Sequence, residues 1–305
     1  MSRILPVWRS MLFVPVNVGR FVATAADRGA DAIILDLEDS VAPAEKPHAR
    51  TLVAGAIPQV ARRGADVVVR VNRPWRLLVR DLEAAAIEGV TALSLPKTDS
   101  AEHVQAVADI LDELEAERGI TTPIGLIAMV ETPGAFFRME AIAQAHPRLL
   151  GLTVGAEDLA LSVGMLPEAE GLFMPKQVSI FAARAAGILP LGFIGTVADY
   201  KDQAAFRAVV ARSARLGFLG AACIHPLQVP VLNELYSPPA EEVARAERMV
   251  AAYDAVLAAG KGAVEFEGKM IDIPVVERAK GVLARAAAIA AREGRNLYTL
   301  APPTL

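Results

Sequence analysis

Short apolar runs recur along this chain at steady intervals, and the segments between them carry Ala, Leu, Glu and Arg at helical spacing. Gly29, Gly89, Gly119 and Gly217 fall where the intervening helices should end. Eight strands that alternate with helices over roughly 250 residues predict an α/β fold, specifically a (β/α)8 TIM barrel. The runs lie in segments 10–15, 31–39, 66–72, 92–97, 123–136, 149–161, 191–196 and 221–226, and two helices are predicted at 101–118 and 197–216.

Polar residues stand at the carboxyl-terminal end of nearly every predicted strand. In a barrel they would all face one mouth, whereas a doubly wound open sheet, the competing interpretation, gathers its ligands at one switch point. The spread of these residues along the chain therefore favours the barrel. They are Asp36, Glu38, Asp39, Arg70, Asn72, Lys97, Glu131, Asp158, Thr196 and His225.

Glu131 and Asp158 end the fifth and sixth runs, separated by the roughly 30 residues of one βαβ unit. Their carboxylates would therefore lie side by side on adjacent strands. Such a pair predicts a divalent cation site, most simply Mg²⁺, completed by water and substrate oxygens. The alternative is two acids that cap helices, with Asp158 as an N-cap. Backbone N–H groups at Gly155 and Ala156 are candidates for binding a substrate carboxylate.

Arg70 ends the third run within an apolar VVVRV segment. A guanidinium buried in a barrel mouth needs an anionic partner. Asp36 or Glu38 on the neighbouring strand is one candidate, and a substrate carboxylate or a developing enolate is the other. We expect Asp36, Glu38 and Asp39 to orient Arg70 and metal-bound water rather than to bind the metal directly.

The composition changes after Tyr236, where Ser237, Pro238 and Pro239 break the chain. We expect a barrel domain over residues 1–236 and a C-terminal lid or oligomerisation extension over residues 237–305. Helices are predicted at 241–259 and 275–292, with a tight turn at Glu267 and Gly268 between them. This extension is too small for a core of its own.

Bulk composition excludes several classes of protein. The chain has 53% hydrophobic residues, yet no apolar run approaches the roughly 18–20 residues that span a bilayer. Arg9 and Arg20 interrupt the N-terminal segment, which does not read as a signal peptide. The single Cys223 fits the cytoplasm. The net charge of −4 without basic clusters argues against nucleic acid as a partner.

Several motifs in one order resemble the citrate lyase beta-subunit-like family, which includes malyl-CoA and citramalyl-CoA lyases. The resemblance covers most of the chain. Its motifs are RSMLFVP (9–15), LDLEDSVAPAEKPHAR (35–50), VRVN (69–72), LPK (95–97), MVETPGAF (129–136), GAEDLALSVGM (155–165), IHPLQV (224–229) and GKMIDIP (268–274).

The resemblance implies a Mg²⁺-dependent barrel that makes or breaks a carbon–carbon bond next to a thioester carbonyl, with a CoA thioester and a 2-oxo acid as partners. It also implies a homo-oligomer, a trimer or a dimer of trimers. Glu131 and Asp158 match the family's metal ligands, and Arg70 matches an arginine that contacts substrate. Many relatives have Gly-Lys at residues 220–221 and an aspartate in the seventh strand, both absent here.

Asp272 lies in KMIDIP between apolar neighbours. Burial there would raise the pKa of its carboxyl and suit proton transfer. The competing interpretation is an N-cap for the following helix. The resemblance favours the first, because the matching aspartate is the catalytic acid/base that the adjacent subunit's tail supplies.

Four other groups leave alternatives open. Arg9 and Arg20 are candidates for contacts with CoA phosphates, or are solvated surface arginines. Lys97 allows a Schiff base with a ketone, although an ion pair with the acidic mouth is favoured. His225 is a candidate base, but a structural histidine is favoured.

The sequence therefore predicts a cytoplasmic lyase that cleaves or forms malyl-CoA or citramalyl-CoA, giving acetyl-CoA and glyoxylate or pyruvate. The alternatives are a metal-dependent aldolase on free 4-hydroxy-2-oxo acids, a Schiff-base aldolase that uses Lys97, a citrate lyase beta subunit with an acyl-carrier-bound substrate, and a catalytically silent binding protein. The extension favours a stand-alone lyase over the citrate lyase subunit.

Overall fold

The computed structural model describes residues 5–197, 201–258 and 264–294, and the chain divides into two compact units, Met1–Tyr236 and Ser237–Leu305. Among the described residues of the first unit, eight parallel strands form one sheet. Consecutive strands pair, the first pairs with the eighth, and Leu191 bridges Gly220 to close the ring. The predicted (β/α)8 barrel is confirmed. Its strands are β1 (Ser10–Pro15), β2 (Ala32–Asp36), β3 (Asp66–Arg70), β4 (Ala92–Leu95), β5 (Gly125–Val130), β6 (Leu149–Val154), β7 (Leu189–Leu191) and β8 (Ala221–Cys223).

The helices of this unit start and stop at local signals in the sequence. The α4 helix follows Ser100, whose hydroxyl accepts a hydrogen bond from His103 N, and ends at Gly119 with φ of 66°. The helices are α1 (Gly19–Ala25), α2 (Lys46–Ala61), α3 (Trp75–Ala85), α4 (Ala101–Arg118), α5 (Pro133–Phe136), α6 (Met139–Ala143), α7 (Ala156–Val163), α8 (Ala169–Ala185), α9 (Gln203–Leu216) and α10 (Gln228–Leu235), with 3₁₀ turns at Ala26–Arg28 and Pro43–Glu45. No described helix combines the length and apolarity that crossing a bilayer requires.

The seventh βα unit differs from its prediction. Strand β7 lies at Leu189–Leu191 rather than at 191–196, because Gly192 has φ of 137° and takes the chain out of the extended conformation. The next helix starts at Gln203 rather than at residue 197, after Asp202, whose carboxylate accepts a hydrogen bond from Ala205 N. Residues 198–200 of that predicted helix lie outside the described residues.

Alternate residues of each strand pack into two separate apolar layers. One layer contains strand residues together with Trp8, and it fills the inside of the barrel. Trp8 is almost fully buried, and its indole N–H donates to Asp66 Oδ2 at the start of β3 (2.7 Å). The other layer joins the outward-facing strand residues to the helices. The amino-terminal end of the barrel is thus filled, which leaves open space at the carboxyl ends of the strands.

The second unit contains α11 (Ala240–Ala258), a hairpin of β9 (Val264–Phe266) and β10 (Lys269–Ile271), and α12 (Ile273–Arg292). Glu267 and Gly268 both have positive φ, 49° and 73°, so the predicted tight turn is confirmed. The expectation of no core here is wrong, because the two helices and the hairpin bury a small apolar cluster. Its members are Ala246, Met249, Tyr253, Ile271, Val276 and Ala279.

Candidate active site

The carboxyl ends of the barrel strands surround a cavity of about 750 Å³, whose open end is the mouth. Most of the strand-end residues that the sequence singled out lie on its wall. They are Asp36, Asp39, Arg70, Glu131, Gly155, Ala156, Asp158, Thr196 and His225. Asn72 does not belong with them. Its amide donates to Leu37 O and to Asp81 of α3, so it lies in the layer between strands and helices, and its predicted place in the mouth is wrong.

Glu131, the first residue after β5, is only 3% exposed. The backbone N–H of Lys97 donates to its Oε2. Burial, together with the negative charges of Asp158 and Glu38, raises the pKa of Glu131 to about 7, although the hydrogen bond from the Lys97 amide opposes the shift. The carboxylate lies against the backbone of Gly155, where a Cβ atom would be 2.6 Å from Glu131 Cγ. Only glycine leaves room for the carboxylate in this position.

Asp158 lies in the first turn of α7, after β6, with its side chain 34% exposed. The residue that precedes α7 is Gly155, so the alternative interpretation of Asp158 as an N-cap is wrong. Lys97 Nζ lies 3.7 Å from Asp158 Oδ1. Lys97 therefore contacts both predicted metal ligands, Glu131 through its amide and Asp158 through its ammonium.

Lys97 adopts a positive φ of 48°, which is uncommon for a residue with a side chain. Its Nζ donates to Glu38 Oε1 (2.8 Å). Burial would lower the pKa of Lys97, but the hydrogen bond to Glu38 and the surrounding carboxylates hold it above its ordinary value. The ion pair between Lys97 and the acidic mouth, which the sequence favoured, is therefore present. Since a Schiff base requires a neutral amine, the protonated state of Lys97 argues against that mechanism.

Arg70 binds Asp36 through a two-pronged contact, with Nε 2.7 Å from Oδ1 and Nη2 2.7 Å from Oδ2. Its Nη1 lies 2.9 Å from Glu38 Oε2, outside hydrogen-bond geometry, and 3.4 Å from Asp39 Oδ2. Although burial opposes it, the contact with Arg70 lowers the pKa of Asp36. Asp36 thus holds Arg70 charged and oriented at the cavity wall. The ring of Phe13 lies 4.6 Å below the guanidinium.

Lys46, which begins α2, donates to the carbonyls of Leu37 (2.9 Å) and Glu38 (2.7 Å). It therefore holds the loop after β2 that carries the acidic cluster.

His225 lines the cavity, and its Nδ1 accepts from Leu227 N (3.2 Å), a contact within its own turn. This contact agrees with the structural interpretation of His225.

Arg9 is not a surface residue, and its predicted contact with CoA phosphates is wrong. It precedes β1, at the opposite end of the barrel from the mouth, and is 5% exposed. Its guanidinium makes two hydrogen bonds to Asp31, of 2.8 and 2.9 Å. Arg20 is exposed in the first turn of α1, 5.0 Å above the ring of Phe21, and stays a candidate.

Asp272 immediately precedes α12 and is exposed, as are its neighbours Met270 (73%) and Ile273 (63%). The prediction that its carboxyl is buried in this unit is wrong, because these apolar side chains turn away from the unit's own core. The alternative, a capping role for its side chain, also lacks support. Asp272 occupies the N-cap position, but its carboxylate makes no capping hydrogen bond.

Two cavity residues escaped sequence reasoning. Glu157 accepts a hydrogen bond from the Thr196 hydroxyl, which joins the loop after β7 to the start of α7. Lys176 of α8 is almost fully buried and donates to the carbonyls of Phe193 (2.6 Å) and Gly195 (2.8 Å). A lone lysine within FMPKQV carries no local signal for this role.

The two carboxylates of Glu131 and Asp158 suit Mg²⁺ better than a metal whose ligands all come from the protein. Among the described residues, no three His, Cys, Asp or Glu side chains form a cluster that could hold a metal. Mg²⁺ commonly takes only one or two carboxylates and completes its shell with water and substrate oxygens. Burial, and then the neighbouring charges of Asp158 and Glu38, raise the pKa of the Glu131 carboxyl, so a divalent cation here would be favourable.

The chain is similar over most of its length to known proteins of one family. Residues 9–226 match the HpcH/HpaI aldolase/citrate lyase family. The citrate lyase subunit beta of Escherichia coli is 38% identical over 93% of this chain and 95% of its own length. The L-malyl-CoA/beta-methylmalyl-CoA lyase of Cereibacter sphaeroides is 34% identical over 93% and 96%.

Among solved structures, the CitE protein of Mycobacterium tuberculosis in complex with magnesium, acetoacetate and coenzyme A is 34% identical. It superposes with a TM-score of 0.73, covering 94% of this chain and all of that chain. The match to the E. coli subunit extends into residues 237–305, so the tail does not distinguish a stand-alone lyase from a citrate lyase subunit. The chain belongs to the HpcH/HpaI aldolase/citrate lyase family.

Proposed function

We propose that this protein is a Mg²⁺-dependent carbon–carbon lyase that cleaves, or forms, malyl-CoA or citramalyl-CoA. In cleavage a base takes the proton of the substrate hydroxyl, the carbon–carbon bond breaks, glyoxylate or pyruvate leaves, and the remaining enolate takes up a proton to give acetyl-CoA. The observation that carries the proposal is the approach of Glu131 and Asp158 to the same Lys97 at the wall of one cavity. Relatives named as lyases, and a CitE structure with magnesium and coenzyme A, support it.

Glu131 and Asp158 would hold the metal, which supplies Lewis-acid stabilisation of negative charge on substrate oxygens. Lys97 would favour the ionised form of Glu131, because its amide N–H donates to the carboxylate and opposes the rise of its pKa. Of the two predicted N–H donors for a substrate carboxylate, Gly155 N is already hydrogen-bonded to Val130 O (3.1 Å). The N–H of Ala156, together with that of Glu157, stands at the start of α7 on the cavity wall and would bind the carboxylate of the 2-oxo acid.

Arg70 would stabilise the enolate of acetyl-CoA that forms as the bond breaks. Its guanidinium is held at the cavity wall by Asp36, and such preorganised charge acts on the transition state without reorganisation. Asp272 would protonate the enolate carbon, or remove that proton in the condensation direction. We propose that it acts in a neighbouring subunit of a trimer or hexamer, and its exposed position at the start of α12 supports this.

The reaction is tested by following the release of glyoxylate from malyl-CoA, or of pyruvate from citramalyl-CoA, spectroscopically with Mg²⁺ or EDTA. We expect turnover only with Mg²⁺, and loss of turnover in Glu131→Gln but not in Glu140→Gln, which changes an exposed acid on α6. Turnover of free 4-hydroxy-2-oxo acids alone would favour the aldolase. Turnover of an acyl-carrier-bound substrate alone would favour the citrate lyase subunit.

The origin of the proton donor is tested by mixing two inactive variants. Asp272→Ala and Glu131→Gln are co-expressed, so that mixed oligomers combine an intact tail with an intact cavity. Restored turnover is expected if Asp272 acts across subunits, and none if it acts within its own subunit. Asp254→Ala, an exposed acid on α11, is the matched control and should keep full activity. Full turnover of Asp272→Ala would reject its catalytic role.

A further inference from the structure

The loop after β7, residues 192–197, forms one side of the cavity. Gly192, Phe193, Gly195, Thr196 and Val197 all line the cavity, and Phe193 is held by an edge-on contact with Phe206 (5.4 Å). Two glycines in six residues leave the backbone free to take many conformations. Something outside the loop must therefore fix the position of this wall.

Lys176 of α8 contacts the backbone of this loop. Its Nζ donates to two carbonyls, Phe193 O at 2.6 Å and Gly195 O at 2.8 Å, and lies 5.3 Å from the centre of the Phe193 ring. Within the described residues it makes no ion pair with any carboxylate. Other hydrogen bonds hold the loop as well: Ile194 N donates to Ser213 Oγ, Gln228 Nε2 donates to Val197 O, and the Tyr236 hydroxyl donates to Gly192 O. Lys176 differs from these groups because its one nitrogen joins two carbonyls of the loop.

Stability alone does not explain a lysine at this position. Burial lowers the pKa of Lys176 to about 7, against the opposing charge of Glu157, so the fold disfavours the ammonium form. Burying a charge without an ionic partner is unfavourable. The neutral amine retains two N–H donors for the same two carbonyls, so the contact persists in both protonation states.

We propose that Lys176 is a specificity-determining positioning residue, which fixes the loop after β7 and thereby sets the size of the 2-oxo acid that fits beside Asp158. The loop is linked to Asp158, a proposed metal ligand, through one residue: the Thr196 hydroxyl donates to Glu157, which precedes Asp158 in the chain. The specificity role rests on the proposed function, whereas the hold on the loop does not.

The hold on the loop is tested by amide hydrogen exchange of the peptide that contains residues 192–197. In Lys176→Met we expect exchange at least about tenfold faster in this peptide, with the rest of the barrel unchanged. Lys201→Met, the same change at an exposed lysine after the loop, should leave exchange as in the wild type. If Lys176→Met does not fold, Lys176→Gln, which keeps an N–H₂ donor, is measured instead. Unchanged protection of the loop in a folded variant overturns the inference.

The specificity role is tested by steady-state condensation of acetyl-CoA with glyoxylate, pyruvate and 2-oxobutyrate. In Lys176→Met we expect KM for the 2-oxo acid to rise about tenfold, preference among the three acids to shrink, and KM for acetyl-CoA to stay within about twofold. An active variant with unchanged preference overturns the inference. Failure of the proposed function is recognised separately, because the wild type would then turn over none of these pairs.

Discussion

A Cβ atom placed on Gly155 would lie 2.6 Å from Cγ of Glu131 and 2.8 Å from its Cδ. Gly155 has φ of −71°, so alanine fits the backbone there and the conflict is purely steric. We expect Gly155→Ala to displace the Glu131 carboxylate and to weaken Mg²⁺ binding by at least about tenfold, or about 1.4 kcal/mol. Isothermal titration with Mg²⁺ checks this without any need for turnover.

The control for that substitution is Gly55→Ala, in the middle of α2, where nothing lies within 4 Å of the new Cβ. It should raise the free energy of unfolding by about 0.5–1 kcal/mol and leave Mg²⁺ binding unchanged. Wild-type Mg²⁺ affinity in Gly155→Ala would show that Glu131 does not hold the metal.

Substitution of Arg9 should change the stability of the protein, whereas substitution of Arg20 should not. Arg9→Met removes the guanidinium that forms the buried ion pair with Asp31, which we expect to lower the free energy of unfolding by about 3–5 kcal/mol. The double variant Arg9→Met, Asp31→Leu should recover part of this loss. Arg20→Ala changes an exposed side chain and should leave stability unchanged, and its KM for the thioester tests the CoA contact. Denaturant unfolding at one pH measures the loss of stability in Arg9→Met, and a wild-type free energy of unfolding in this variant would contradict the prediction.

Arg70→Lys should lower kcat/KM by about 10²-fold, because a lysine cannot reproduce the two-pronged contact with Asp36 and still present charge to the cavity. Initial rates of 2-oxo acid release from the acyl-CoA substrate measure the effect. Arg80→Lys, at an exposed position of α3, serves as its control. If Arg70→Lys turned over at the wild-type rate, Arg70 would be only a structural partner of Asp36.

His103 should make the protein less stable in acid. Burial, with a contribution from the positive charge of Arg73, lowers the pKa of His103 from 6.5 to about 4. Between pH 6.5 and 4 the unfolded chain therefore binds a proton that the folded chain does not, so the free energy of unfolding falls as the pH falls through this window. The difference is about 3 kcal/mol across the window.

His103→Phe should remove this part of the pH dependence while keeping the edge-on contact with Trp75. It should also stabilise the fold, since neither ring nitrogen of His103 has a hydrogen-bond partner among the described residues. Urea unfolding at pH 7.5 and pH 5 compares the variant with the wild type. His48→Gln, an exposed histidine on α2, is the control. Equal pH dependence in His103→Phe and the wild type would contradict the assignment.

Much of the fold follows from patterns that act locally. The alternation of apolar runs with helical segments predicted the barrel, and α4 lies at its predicted bounds because Ser100 and Gly119 mark its two ends. The seventh unit was misplaced because Gly192 leaves the extended conformation inside an apolar run. Arg9 was misjudged because its partner, Asp31, is distant in the chain and becomes adjacent only when β1 and β2 pair.

The sequence by itself determined that Glu131 and Asp158 follow neighbouring strands, because parallel strands joined by helices must end at the same face. Only the tertiary structure decided how their surroundings are built, with Gly155 against one carboxylate, Lys97 beside both and Lys176 behind the facing loop. These contacts join residues from different βα units. The sequence pattern of one unit does not specify which side chains of another unit will contact it.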